Sequence, residues 1–161
     1  DLHSFPTRRS SDLEMYGSGE IKEQLQMRID EKGVSNSLIL NEPTSDIIDK
    51  YLESSIYIMS SRFEGFPMVL LEAMSCGLHC VSFDCPNGAK DIIEEGRNGY
   101  LVEYLNVEKL ADSICKLIED EALRMKLGAN AKEDVQKYLP NNIMKLWENQ
   151  FCSIKKHSSI C

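Results

Sequence analysis

Short apolar runs of four to six residues alternate along this chain with longer amphipathic segments, and that alternation constrains the fold more than any other feature. The runs are "EMYG", "SLIL" (37–40), "IYIMS" (56–60), "HCVSFD" (79–84) and "GYLV" (99–102). Between them lie segments of helical period. In "GEIKEQLQMRIDEKG", Ile21, Leu25 and Ile29 recur at i, i+4 and i+8, and Gly33 supplies a stop. "SDIIDKYLES" comes next with Ser45 as the expected N-cap, then "PMVLLEAMSCG", bounded by Pro67 at its first position and Gly77 after its end. "AKDIIEEG" is a short helix. "VEKLADSICKLIED" and "EALRMKLGANAKEDVQKY" are amphipathic, and a last helix is expected at about 141–152, carrying Trp147. Strands separated by helices cannot form hairpins with one another. They pair in parallel, with right-handed crossovers and helices on both faces. The expectation is an α/β, Rossmann-like, three-layer domain with five parallel strands.

In such a sheet, ligands sit beyond the carboxyl ends of the strands. The loops there are 17–19, 41–44, 61–66 and 85–88. The chain carries a formal net charge of −8 and a single short basic patch, Lys155-Lys156-His157, read as a solvated tail. That balance argues against binding a nucleic-acid backbone, which requires clustered Lys and Arg. Cys76, Cys80, Cys85, Cys115, Cys152 and Cys161 form no C-x-x-C pair, and the spacing around His79 fits no usual zinc pattern. Reduced thiols and no metal are expected. His3, His79 and His157 are scattered, so no Ser-His-Asp set arises.

The opening "DLHSFPTRRSSDL" shares no periodicity with the rest of the chain and resembles a translated sequencing adapter. Residues 1–13 are therefore read as a non-native stretch or a disordered arm, residues 14–152 as the domain, and residues 153–161 as a tail. On the adapter reading, the native chain begins further upstream.

The stretch "SSRFEGFPMVLLEAMSCG", Ser60 to Gly77, carries the chemistry. If Pro67 opens the helix, the amides of Met68, Val69 and Leu70 point out of its N-terminus and form an anion site suited to phosphate. Gly65 lets a ligand approach the backbone closely. Glu72 lies on a helix apolar nearly all round, so it is expected to be buried and to need partners. A carboxylate only accepts hydrogen bonds, which suits the vicinal hydroxyls of a ribose. Glu64 would face the same crevice. The bland alternative is a core Glu72 paired with an Arg or with backbone amides, and a surface Glu64. "MYGSGE" offers Gly17 and Gly19, but the third glycine of a dinucleotide fingerprint would fall at Lys22, which disfavours a nicotinamide site.

Together, "YGSG", "SRFEGFPMVLLEAMSCG" and "VSFDCPNGAKDIIEEGRNGYLV" resemble the C-terminal, donor-binding domain of retaining glycosyltransferases of the GT-B fold, in particular family 4 (group 1 glycosyl transferases). Glu64 and Glu72 match that family's E-x7-E motif, and the resemblance runs from about Glu14 to about Tyr138. It implies that Glu72 holds the ribose of a nucleotide-diphosphate sugar and that Glu64 is the catalytic carboxylate beside the donor sugar. Backbone at Gly65, Phe66 and Pro67 would line the sugar. The Val69 and Leu70 amides would reach the diphosphate, and Gly17 with the 41–44 loop would border the nucleotide. It implies no metal and no cofactor beyond the donor, a saccharide or lipid-linked acceptor bound by an N-terminal domain absent from this chain, and an inactive fragment when isolated. It also implies a cytoplasmic enzyme, peripheral at the inner face of the membrane in its full-length form. His79 and Ala89 stand where the family often has proline. A sucrose- or trehalose-phosphate-synthase-like enzyme and a non-catalytic α/β binding domain are the competing readings.

Overall fold

A computed structural model describes residues 12–158, which fall into two units divided after Ile47. In the first, β1 (Leu13–Tyr16) and β2 (Leu38–Asn41) pair in parallel, with Leu13 opposite Leu38 and Tyr16 opposite Asn41. They are joined by α1 (Lys22–Glu31). Of the three apolar residues at helical spacing, Ile29 is buried, Leu25 is half-buried, and Ile21 is exposed just before the helix. Gly33 ends α1 with a positive φ of 65°, the role expected of it. The segment read as non-native lies mostly outside the described residues, and its last residue, Leu13, opens β1.

The second unit starts within α2 (Ile47–Glu53). Ser45 precedes this helix by two residues and donates its hydroxyl to Asp46, so it is not the cap expected of it. Next comes a three-stranded parallel sheet, ordered β3 (Ile56–Met59), β4 (His79–Phe83) and β5 (Gly99–Val102). Among the described residues the five expected strands thus form two sheets rather than one. Every residue of β4 is buried. Successive side chains of a strand point to opposite faces, so β4 is covered on both. This is the α/β, Rossmann-like architecture with parallel sheets.

α3 (Met68–Ser75) connects β3 to β4, and α4 (Ala89–Ile92) lies between β4 and β5. α5 (Val107–Glu119) and α6 (Glu121–Asp134) each begin with a side-chain cap. Asn106 accepts from the Lys109 amide at 3.0 Å and Asp120 from the Leu123 amide at 2.8 Å. Val81, Phe83 and Val102 from the sheet close a core against Leu110, Leu117 and Leu127 from these helices. The expected single helix through Tyr138 ends at Asp134 and tightens into a 3-10 turn over Val135–Tyr138.

α7 (Pro140–Ser158) is longer than the expected 141–152 helix and runs on into the residues read as a tail, as far as Ser158. No Gly or Pro interrupts "SIKKHS", so nothing local stops the helix there.

Candidate active site

The loop leaving β3 at its carboxyl end turns back through Ser60–Phe66 and enters α3 at Pro67. Pro67 is fully buried, with φ −78° and ψ 88°, and serves as the N-cap rather than the first helical residue. It has no hydroxyl or carboxylate to accept from the first turn. No side chain caps α3, and its first turn holds no acid. The amides of Met68 and Val69 therefore face out of the helix start. The Leu70 amide does not join them. It donates to the Pro67 carbonyl at 3.0 Å, closing a tight first turn, and Leu70 itself is fully buried. The anion site expected of three amides thus has two.

Glu72 is half-buried, against the expectation of burial. The reason is rotational. Leu70, Leu71, Ala73 and Met74 turn into the core, while Met68, Glu72, Ser75 and Cys76 share the opposite stripe at i, i+4, i+7 and i+8. Met68 and Val69 are exposed at the head of this stripe. One face of α3 therefore presents a carboxylate one turn below two outward amides. Among the described residues no Lys or Arg pairs with Glu72. Its charge is felt by the Tyr51 hydroxyl of α2, which burial first and Glu72 next push up to about 12.

The charges of both carboxylates reach Tyr57 of β3. Its hydroxyl is pushed above the ordinary phenol range by burial first, then by Tyr51, Cys80, Glu64 and Glu72. Glu64, half-buried on the loop, also raises the Cys85 thiol after burial has done so. Cys80 is buried and its thiol is likewise pushed up, so both sulfurs are protonated and neither is poised as a nucleophile.

The loop is braced from three directions. Gly88 has φ 90° and ψ −54°, and a Cβ there would lie 2.5 Å from Pro67 Cδ and 3.1 Å from the Gly65 carbonyl. The Tyr104 hydroxyl donates to the Arg62 carbonyl at 2.8 Å. Tyr138 sets its ring edge-on to Phe66, at 5.8 Å between centroids, and donates to the Asp91 carbonyl. Gly65 itself has nothing within 4 Å of where a Cβ would stand, so its backbone is open to a ligand.

The structure thus brings Glu64, Gly65, Phe66, Pro67, Met68, Val69 and Glu72 together at the mouth of one helix. Gly17 belongs to the first unit. Its amide donates to the Asn41 carbonyl at 3.3 Å, and space around it is open. There the 41–44 loop is tied to α1 by an ion pair between Glu42 and Lys22. Tyr51, Tyr57, Gly88, Tyr104 and Tyr138 were not legible as site residues. Only Gly88 carried a local signal, the Asn-Gly turn. Among the described residues no group of three His, Cys, Asp or Glu is arranged to hold a metal, and no helix is long and apolar enough to cross a membrane.

The "RNG" turn has a structural job. Asn98 is buried, accepts from the Glu94 amide at 2.9 Å and donates to the Ile92 carbonyl and to Asp134. Arg97 meets Asp134 through two nitrogens, at 3.0 and 2.9 Å.

The sequence model of the family described as "Glycosyl transferases group 1" matches residues 5–134. The chain is 32% identical over 135 residues to the poly(glycerol-phosphate) alpha-glucosyltransferase of Bacillus subtilis, covering 84% of this chain and 20% of that protein. It is 30% identical over 140 residues to the poly(ribitol-phosphate) alpha-N-acetylglucosaminyltransferase of Staphylococcus aureus, covering 86% and 28%. Among solved structures, a mutant of S. aureus TarM in complex with Fondaparinux, alpha-GlcNAc-glycerol and UDP superposes with a TM-score of 0.81 at 29% identity, over 87% of this chain and 29% of that one. Anabaena HepE in complex with UDP gives 0.80 at 25%, over 88% and 41%. The chain therefore belongs to the group 1 glycosyl transferases, and its fold is that of the matching GT-B domains. It spans less than a third of the length of the two curated relatives named here.

Proposed function

We propose that this chain is the donor-binding half of a retaining glycosyltransferase of family 4, which transfers a sugar from a nucleotide diphosphate to a saccharide or lipid-linked acceptor. The observation that carries the reading is the single face of α3 on which Glu72 stands one turn below the outward amides of Met68 and Val69. A nucleoside diphosphate presents the complement, two ribose hydroxyls beside two phosphates. In this reading the vicinal hydroxyls donate to Glu72. The diphosphate accepts from the two amides at the positive end of the helix. The sugar lies over Gly65, with Glu64 beside its reacting carbon.

Chemistry then proceeds by breaking the bond between the anomeric carbon and the diphosphate oxygen. The leaving oxygen takes the bonding electrons and is stabilised by amides already in place. The acceptor hydroxyl attacks from the same face, and its proton passes to the departing diphosphate. No metal is called for. The acceptor is held by a further domain, and the 161 residues alone transfer no sugar. The working site is cytoplasmic, peripheral to the membrane where the acceptor is lipid-linked.

The test is calorimetric titration of the chain with UDP, GDP and ADP, repeated on Glu72→Ala. The reading expects saturable binding of one nucleotide and at least a tenfold loss in the variant, with the fold retained. Equal affinity in wild type and variant would refute the assignment of Glu72.

A further inference from the structure

After Asp134 the chain winds at about 3.0 residues per turn rather than about 3.6, so Tyr138 swings further round than a continued α6 would carry it. It arrives against the loop that enters α3. Its ring stands edge-on to Phe66, with 5.8 Å between centroids and 61° between planes. Its hydroxyl donates to the Asp91 carbonyl of α4, and the Lys137 ammonium lies 4.9 Å from the centroid of the same ring. Phe66 has less support of its own. It is 45% exposed, and among the described residues Tyr138 is the ring that touches it. We propose that Tyr138 is a positioning residue for the donor sugar: anchored at Asp91, it fixes the Phe66 side chain and so sets the Gly65–Pro67 backbone on which the sugar lies, while leaving the nucleotide contacts at Met68, Val69 and Glu72 alone.

The loop needs such a support because it cannot hold itself. Gly65 is free in φ and ψ, and nothing stands within 4 Å of where its Cβ would be. Gly88 walls the backbone on one side, against Pro67 and the Gly65 carbonyl. The remaining constraint acts through the Phe66 side chain. An edge-to-face ring pair supplies it without presenting a hydrogen-bonding group that would compete with sugar hydroxyls. The Tyr138 hydroxyl gives the ring a second point of attachment on α4, which a phenylalanine would lack. The nucleotide contacts stand on a separate footing. Met68, Val69 and Glu72 belong to α3, which Leu70, Leu71, Ala73 and Met74 seat in the core whatever Phe66 does. Loss of Tyr138 therefore reaches the sugar and spares the nucleotide.

This inference rests on the donor-site reading, and the experiment separates the two. UDP, UDP-glucose and UDP-N-acetylglucosamine are titrated into the whole chain as wild type, Tyr138→Phe, Tyr138→Leu and Glu72→Ala. Tyr138→Phe keeps the ring and removes its anchor, and Tyr138→Leu removes the edge contact as well. In the wild type one sugar nucleotide should bind more tightly than UDP. Tyr138→Leu should lose roughly two- to tenfold in affinity for it, the scale of one ring pair, with Tyr138→Phe in between and UDP bound as before by both. Equal losses for UDP and the sugar nucleotide would make Tyr138 merely structural and overturn the proposal. Unchanged sugar-nucleotide affinity in both variants, or a wild type that binds UDP and both sugar nucleotides alike, would overturn it too. In each of these cases a loss of UDP affinity in Glu72→Ala leaves the donor-site reading standing. A wild-type chain that binds none of the three sinks both. A readout without ligand is nitrogen relaxation of the backbone amides. Order parameters that fall at Gly65 and Phe66 in Tyr138→Leu, with Gly96 as in wild type, support the proposal, and unchanged values at 65 and 66 overturn it.

Discussion

Replacing Gly88 by alanine adds one methyl group where the turn after β4 presses on the loop before α3. The new Cβ would stand 2.5 Å from Pro67 Cδ, whereas carbon atoms in contact settle at about 3.5–4.0 Å. One side must retreat by about 1 Å, and neither is free to do so, because Pro67 is a buried ring and Gly88 is itself buried. The backbone adds a second cost, since φ 90° with ψ −54° is a conformation that glycine alone adopts readily. Strain of this kind is worth about 1–3 kcal/mol, and overpacking a further 1–3 kcal/mol. Gly96 provides the control. Its φ is 73° and a Cβ there meets nothing, so Gly96→Ala carries backbone strain without the collision. In urea denaturation Gly88→Ala should lose roughly 2–6 kcal/mol, exceeding Gly96→Ala by about 1–3 kcal/mol. In amide NMR spectra Gly88→Ala, and not Gly96→Ala, should shift Gly65, Phe66 and Met68. If the two variants lose the same stability and the 65–68 amides stay in place, the claim that Gly88 sets the loop is wrong.

Met68 occupies the first helical position, where proline is well tolerated because the amide has no helical partner. Met68→Pro should keep the fold and weaken UDP roughly tenfold, while uridine, lacking phosphates, binds as before; equal effects on both ligands would count against the diphosphate assignment. His79 is buried with its Nε2 unpartnered, and burial first, then Arg124, lowers it from 6.5 to about 4. The unfolded chain therefore binds a proton near pH 6.5 that the folded chain refuses until about pH 4, so stability falls as pH drops through that window. The loss approaches roughly 3.5 kcal/mol at about 1.4 kcal/mol per pKa unit. His79→Leu should flatten that part of the curve in denaturation measured at successive pH values, and an unchanged slope would contradict the cause given. Asn98→Ala should cost about 2–4 kcal/mol, because it strands the Glu94 amide and the Ile92 carbonyl; a thermal melt within a degree of wild type would show that the turn is held some other way.

The sequence signalled α3 and its surroundings clearly because its punctuation is local. Pro67 and Gly77 bracket the helix, and both act within a residue of their expected places. The half-exposure of Glu72 was also available, since Met68, Glu72, Ser75 and Cys76 fall on one stripe. Counting apolar residues rather than plotting their angles hid it. The Leu70 amide was not legible, because whether a first turn tightens depends on the ψ of the residue that opens it. Tyr51 and Tyr57 were beyond reach for another reason. Their rings meet edge-on between α2 and β3, and nothing in "DKYLESSIYIMS" marks that pair as different from ordinary core. Strand alternation implied parallel pairing but not which strands hydrogen-bond, so the division into two sheets emerged only from the register. The basic end of α7 was read as a tail from its charge, although helix termination needs a breaker, and none is present.

The central claim is that Glu72 meets a ribose while the start of α3 meets its diphosphate. Isotope-filtered NOE measurement on the labelled chain saturated with UDP tests it most directly. The account predicts contacts from the ribose H2′ and H3′ protons to the Glu72 side chain, with the Met68 and Val69 amides shifting most on binding. Bound UDP whose ribose shows contacts elsewhere, with Glu72 silent and the two amides unmoved, would contradict it.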